Sequence, residues 1–379
     1  MTAASPLYGL VALDLTGENG WLLGKILADL GATVLKMDPP GGDPGRDRPP
    51  LLRGPAGSTA AAWVAFNAGK LRLALDLGSA HGRERMRDLA AEADFVLESE
   101  PPGRLDGLGI GWAHLSQRNP RLVMTSVTPY GQDGPLAHVP ASDLELMAAG
   151  GAVWLTGDPD RPPVRVSLPQ AAAWGCAYAA VGTMIAHHHR RVQGRGQHVD
   201  ASIQCGVLPM LVHAPTFWEM SGMNPHRAGS FLVGRNLHGA RLRNVWPCRD
   251  GYVTFALYGG DAGRRSNRAL VRWMTERGMA PEFLQTVDWE TCDVAGMAPE
   301  EVERIESAIG AFLRIVTRRE FLEEAEARRL LGYLVATAED IAADTQLRAR
   351  RVWTDLDVPE LGRPVRLPTG WFRVAEPVP

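Results

Sequence analysis

The stretch LVALDL (residues 10–15), TGENG (16–20), WLLGKILADLG (21–31) and ATVLKM (32–37) decides the fold class. Its first piece is a short apolar run of strand length, and its second is a polar, glycine-bearing turn. In the third, apolar residues recur at three- and four-residue spacing from Trp21 to Leu30, and Gly31 closes the helix. The fourth is again a strand. Strand, helix and strand in this order make a βαβ unit, which calls for parallel strands with helices on the sheet faces. The alternation continues. A loop rich in Pro, Gly and Arg covers 39–57, a length that suggests a functional or partner-covering segment. A helix is then expected at 59–68, a strand at 72–76, a helix at 82–92, and strands at 95–98 and 122–127. This is the pattern of a doubly wound α/β domain.

Further along, 166–190 carries the clearest helical pattern. Ser167 is placed to cap it, Pro169 sits in its first turn, and the small apolar residues of 171–186 predict a buried helix. From about 225 the texture changes to Gly- and Arg-rich loops, a strand at 251–257 and amphipathic helices at 265–278 and 299–329. Residues 225–330 read as a second, smaller domain. A short helix at 339–350 and a Pro-bounded strand set at 352–374 close the chain.

Composition sets outer limits. The 379 residues suit two domains, and 40 basic against 43 acidic residues give a net charge of -3. That balance lacks the basic stripe of a nucleic-acid binder, and no apolar run reaches the length of a membrane span. Neither nucleic acid nor membrane is expected as a partner. Cys176, Cys205, Cys248 and Cys292 form no C-x-x-C pair, so reduced thiols are expected. The N-terminal sequence lacks the features of a secretory signal, which makes the cytoplasm the expected location.

Single motifs are weak. TGENG matches neither G-x-G-x-x-G nor the P-loop spacing, and no G-x-S-x-G is present. His187, His188 and His189 are consecutive, so on a helix they point about 100° apart and do not converge on a metal; no metal site is expected. Asp143 and Glu145, two residues apart, fall on different helix faces, and a helix-start role suits Asp143. Arg227, Arg235, Arg241 and Arg243 could bind an anion or remain solvated.

Taken together and in order, several segments resemble the family III CoA-transferases. They are LYGLVALDLT, LADLGATVLKMDPPGGDPGR, FNAGKLRLALDL, ADFVLESEPPGRLDGLGI, NPRLVMTSVTPYGQDGP, SDLELMAAGG, LTGDPDRPPVRVSLP, GRGQHVD (194–200), DGYV (250–253), DTQLRARRVW and PELGRPVRLP. The resemblance implies a Rossmann-like large domain made from both chain ends (1–200 and 331–379), a linker helix at 201–224, and an inserted small α+β domain at 225–330. It also implies an interlocked, ring-like dimer. Coenzyme A or acyl-CoA would enter as substrate rather than as a tightly bound cofactor, with Asn19, Arg46, Asn67, Lys70 and Tyr130 in the matching motif places. The chemistry implied is attack of an aspartate on the donor thioester, since a carboxylate nucleophile divides one hard acyl transfer into easier steps.

The sequence departs from that pattern at its centre. Ungapped matching of Tyr178-Ala179-Ala180-Val181-Gly182 and Gly194-Arg195-Gly196-Gln197 puts Ala172 at the family's aspartate, and residues 161–199 contain no Asp or Glu. Ser142 stands where racemase members carry a histidine. Glu100 replaces the aromatic of E-N-F-R-P-G, and no flexible glycine-rich loop appears at 229–239. These features lead to the expectation of a non-nucleophilic subunit, completed by a paralogous catalytic chain in a heterodimer or heterotetramer. The two-subunit transferases acting on succinyl-CoA and benzylsuccinate in aromatic degradation are the guide. The alternatives are an acyl-CoA isomerase or hydrolase using Asp143, Glu145 or Gln132, and a non-catalytic acyl-CoA-binding protein.

Overall fold

The computed structural model describes residues 5–370. Six parallel strands form one sheet: β1 (Val11–Asp14), β2 (Thr33–Asp38), β3 (Leu71–Ala74), β4 (Phe95–Glu98), β5 (Val123–Thr128) and β6 (His198–Ser202), in the spatial order β3-β2-β1-β4-β5-β6. Every pairing is parallel. This is the doubly wound order in which the chain reverses direction between β1 and β4. All residues of β4 and β5 are buried, as central strands covered on both faces must be. The pleat sends Ala12, Phe95 and Leu97 into one apolar layer with Leu23 and Leu27, and Leu13, Val96 and Met124 into the other with Met86 and Leu115.

The described residues divide into two compact units. One holds the chain up to Trp154, Val164–Pro225 and the part from Thr345 onward, while the other holds Leu155–Pro163 and His226–Asp344. In the first unit the hairpin Trp353–Val358 with Arg363–Pro368 packs Val358, Leu361 and Leu367 against Trp21, Trp63 and Val64, so both ends of the chain share one apolar cluster. The second unit has a three-stranded antiparallel sheet, Val245–Cys248, Gly251–Phe255 and Gly332–Leu334, whose core contains Trp246, Phe255, Trp273, Phe312 and Phe321.

Several expectations need correction. The 39–57 loop contains a 3-10 turn (Pro44–Asp47) and an antiparallel hairpin, Leu51–Gly54 with Gly57–Ala60; that pairing delays the next helix to Ala61–Asn67. The helical pattern at 299–329 is two helices, Pro299–Leu313 and Arg318–Arg328, because the Thr317 side chain accepts from the Glu320 N–H and starts a new one. The helix expected at 166–190 is Ala171–Gln193, outside the reach of Ser167 and Pro169. Its burial is one-sided: Gly175, Cys176, Ala179 and Thr183 face the core, while Val181 and Ile185 are 55% and 64% exposed. The helix at 339–350 is divided into Ala338–Ala343 and Thr345–Ala349. The last part of the strand set expected at 352–374 lies outside the described residues.

At the C-terminal end of β1, the Asp14 carboxylate meets the Lys70 ammonium at 2.8 Å, with both side chains 0% exposed. Lys70 also donates to the Trp21 carbonyl at 2.7 Å and to Asn67 Oδ1 at 2.8 Å, while Asp14 Oδ1 accepts from the Thr16 N–H and hydroxyl. All three ammonium protons and both carboxylate oxygens are therefore satisfied. Burial pulls the Lys70 pKa below its usual value, with Asp14 opposing the shift. Removing one partner of such a pair leaves a buried charge and costs about 3–5 kcal/mol. Asp14→Asn or Lys70→Met alone should destabilise the chain by that amount in chemical denaturation. The double variant should cost clearly less than the sum of the two.

Candidate functional site

In open α/β sheets, ligands bind outside the carboxyl ends of the strands where the strand order reverses. A crevice of ≈ 530 Å³ occupies that place here, lined from the loops after β1, β2, β3 and β4. Its apex is stitched across the reversal by the Gly17 N–H, which donates to Ser99 Oγ at 2.8 Å. Below the turn, the indole N–H of Trp21 donates to Asp43 Oδ2 at 3.1 Å, and Asp43 Oδ1 accepts from the Gly45 N–H at 2.8 Å. The Lys36 ammonium lies 3.4 Å from Asp43 and 3.7 Å from Asp38, almost fully buried. At the rim, Arg48 pairs with Glu18, and Arg104 lies 2.6 Å from Glu100.

The structure disperses the residues singled out by the sequence. Asn19 sits in the turn before the first helix, and its carbonyl accepts from the Cys176 thiol, itself pushed up to about 12 by burial. Arg46 pairs with Glu360 and, with Lys36 and Arg72, surrounds the Trp63 ring at 5.6 to 5.9 Å. Asn67 and Lys70 are bonded to each other inside the fold. Tyr130 is half-buried against the core at the end of β5.

Ala172 is the second residue of the Ala171–Gln193 helix, and a carboxylate stands next to it. Asp143 Oδ1 accepts from the Gln170 N–H at 2.6 Å and from the Ala171 N–H at 2.7 Å, so Asp143 caps this helix from a distance in sequence. Glu145 is engaged elsewhere, where its carboxylate accepts from the Ser142 backbone N–H and hydroxyl, which hold its pKa below the usual value. The two carboxylates are thus engaged by different partners, Asp143 by the Gln170 and Ala171 amides and Glu145 by Ser142. Gln132 uses its backbone N–H on the Asp200 carboxylate at 3.0 Å. The three histidines diverge: His187 accepts from the Arg190 guanidinium at 2.6 Å, His188 lines an apolar groove, and His189 contacts the Arg195 carbonyl. Among the four arginines, Arg227 donates to the Arg161 carbonyl, and Arg241 and Arg243 flank Phe231 at 4.7 and 4.5 Å. These lie in the second unit.

The sequence reading missed Glu98 as a titrating group. It ends β4 at 4% exposure, and burial raises its pKa from 4.5 to about 7 against hydrogen bonds from Ser126 and the Glu100 N–H. Ser126 Oγ lies 2.8 Å from His198 Nε2, and the His198 ring stacks on Trp112 at 5.8 Å. Three neighbouring strands thus contribute a carboxyl, a hydroxyl and an imidazole to one chain of hydrogen bonds. The only signal in the sequence was an acidic residue closing an otherwise apolar strand, FVLE.

A profile of CoA-transferase family III matches residues 7–378. The chain belongs to that family. It is 34% identical over 368 residues to the succinyl-CoA:(R)-benzylsuccinate CoA-transferase subunit BbsE of Thauera aromatica, covering 96% of this chain and 87% of the relative. It is 28% identical to the succinyl-CoA–D-citramalate CoA-transferase of Chloroflexus aurantiacus, covering 90% and 81%. Among solved structures, a CAIB/BAIF family protein from Brucella suis superposes with a TM-score of 0.82 at 28% identity, covering 98% of this chain and 93% of that one. The family handles CoA thioesters. Within this family III fold, burial at the end of β4 raises the Glu98 carboxyl to about 7.

Because its folded pKa is raised, neutral Glu98 contributes stability that is complete below about pH 4.5 and lost as the pH rises through about 7. Denaturation at pH 5 and pH 8 should show the wild type losing up to about 3 kcal/mol more than Glu98→Gln over that interval. Parallel pH dependence of the two proteins would refute the assignment.

Proposed function

We propose that this chain is the non-nucleophilic subunit of an acyl-CoA:carboxylate CoA-transferase, completed by a paralogous chain that supplies the aspartate. The observation that carries the reading is alanine at position 172, at the start of a helix whose first amides are already held by Asp143. An alanine has no atom with which to open a thioester. In the pair, the paralogue's aspartate attacks the donor acyl-CoA and expels the CoA thiolate, forming an anhydride. The thiolate returns to the aspartyl carbonyl and releases the donor acid. The acceptor carboxylate then attacks the aspartyl thioester, breaking its C–S bond and expelling the CoA thiolate to form a second anhydride, and the thiolate attacks the acceptor's acyl carbon to give the product thioester and free aspartate. Succinyl-CoA is the donor favoured by the relatives, and a benzylsuccinate-like acid, from aromatic degradation, is the acceptor class suggested by BbsE. Asn19, Arg46, Asn67, Lys70 and Tyr130 keep the motif places that the resemblance links to CoA, and in this reading they serve the fold of this chain: the Lys70 ammonium, for one, is fully engaged by Asp14, the Trp21 carbonyl and Asn67.

A partner is supported by apolar surface in the first unit. The helix His213–Ser221 buries none of its residues; Phe217 and Trp218 are about half exposed and Met220 is 82% exposed. On the Ala171–Gln193 helix, Val181, Met184 and Ile185 line a groove of ≈ 700 Å³ with Leu22, Ile26 and Leu30. Apolar surface of this extent is characteristic of protein interfaces. An interlocked pair of rings, with the 201–224 segment joining a large domain to the small domain at 225–330, would cover it. Four free cysteines suit a reducing cytoplasm, and among the described residues no helix is long and apolar enough to cross a membrane.

Expressed with its paralogue, the chain should transfer CoA from succinyl-CoA, and an aspartate-to-alanine change in the paralogue should abolish the activity. Turnover by this chain alone would overturn the subunit reading. The double variant Val181→Asp/Ile185→Asp changes exposed positions only. It should leave far-ultraviolet circular dichroism unchanged while native mass measurement finds the chains separated.

A further inference from the structure

A phosphate-bearing ligand in a crevice at a strand-order reversal draws on two kinds of donor: amides at the N-terminus of the first helix, and cationic side chains. Here the cations that line the crevice, and the Gly17, Gly20, Trp21 and Leu23 amides, are engaged by the chain itself. In the turn before Trp21–Asp29, the Gly20 and Trp21 N–H groups both donate to the Gly17 carbonyl, and the Leu23 N–H donates to the Gly20 carbonyl. Each of the three cations lining the crevice has an acid: Lys36 lies between Asp38 and Asp43, Arg48 pairs with Glu18, and Arg104 pairs with Glu100. Four lining carboxylates, Glu18, Asp43, Asp76 and Glu100, face those three cations, which leaves the crevice with an excess of one negative charge.

We infer that Glu18 and Glu100 are specificity-determining residues that close this chain's crevice to the phosphates of CoA, so that a two-chain complex binds acyl-CoA in the partner's crevice only. The inference rests on the subunit reading for its ligand class. Glu18 and Glu100 are the two acids that matter because they stand at the rim, with side chains 45% and 35% exposed, where an entering pyrophosphate would meet them. Each acts twice. It repels the phosphates directly, and it holds the arginine that would otherwise turn toward them. Asp43, by contrast, is fixed by Trp21 and Gly45 and belongs to the wall. Exposed ion pairs are individually weak, so neutralising the two acids frees Arg48 and Arg104 without disturbing the fold.

The test is isothermal titration of the full-length chain with CoA and with 3′-dephospho-CoA at low and at raised salt. The wild type should give no saturable binding in the micromolar range. Glu18→Gln/Glu100→Gln should bind CoA at least about tenfold tighter than the wild type, from removal of two like charges. The gain should shrink with salt and with loss of the 3′-phosphate. Glu18→Asp/Glu100→Asp, which keeps both charges, should show no gain. In the complex with the paralogue, the wild type should bind one CoA per two chains and the Gln variant two. Micromolar CoA binding to this crevice in the wild type, unaltered in the Gln variant, would overturn the inference while leaving the subunit reading intact. A complex that transfers no CoA, beside a Gln variant that gains CoA, would remove the subunit reading and leave the inference standing.

Discussion

The buried ion pair between Asp14 and Lys70 is the constraint on which the first unit is organised. It joins the last residue of β1 to the residue before β3, and through the Trp21 carbonyl and Thr16 it fixes the turn that opens the first helix. Gly24 is required directly above it, because a Cβ there would come within 2.2 Å of the Asp14 carboxylate and 2.9 Å of the Lys70 ammonium. The helix can lie this close to the pair only without a side chain at that point. A charge pair with every donor and acceptor satisfied adds little net stability, yet it tolerates one geometry and penalises others. The turn from Thr16 to Gly20, whose Thr16, Gly17 and Glu18 line the crevice, inherits that rigidity.

Charge and apolar surface are distributed in opposite ways. Around the crevice, every lining cation is matched by an acid of the same chain. Along the Ala171–Gln193 helix and the His213–Ser221 helix, apolar side chains stand with nothing of the first unit over them. A chain whose polar groups answer one another internally, while its apolar face is open, has chemistry suited to assembly more than to holding a charged small molecule. That contrast, with alanine at position 172, is the physical basis of the proposal that a partner supplies the chemistry.

Much of the fold was legible because it is local. The first βαβ unit, the apolar strand at 95–98 and the chain reversal marked by Gly31 all follow from periodicity and turn residues. What escaped was set by distant residues. Ser167 and Pro169 satisfy every local rule for starting a helix, yet the helix starts later, where Asp143 reaches its first amides from another element. The T-x-x-E signature of Thr317 and Glu320 was present and marked a helix start inside an apparently continuous pattern. Lys70 stood in a motif that suggested ligand contact, and only the three-dimensional path of the chain puts its ammonium between Asp14, Trp21 and Asn67.

By itself the sequence determined the family, through motif order across nearly the whole chain, and it determined the alternation that makes a parallel sheet. It also determined the residue types available at each motif position, including alanine at 172 and glutamate at 100. Tertiary structure alone decided which distant charges meet, as Lys70 meets Asp14 and Arg48 meets Glu18. Glu98 titrates near neutrality because two neighbouring strands bury it, and Arg48 of the loop after β2 meets Glu18 of the loop after β1 because the two converge on one crevice. Electrostatic environment depends on distance and burial rather than on position along the chain, so a sequence can name the charged groups but not their neighbours.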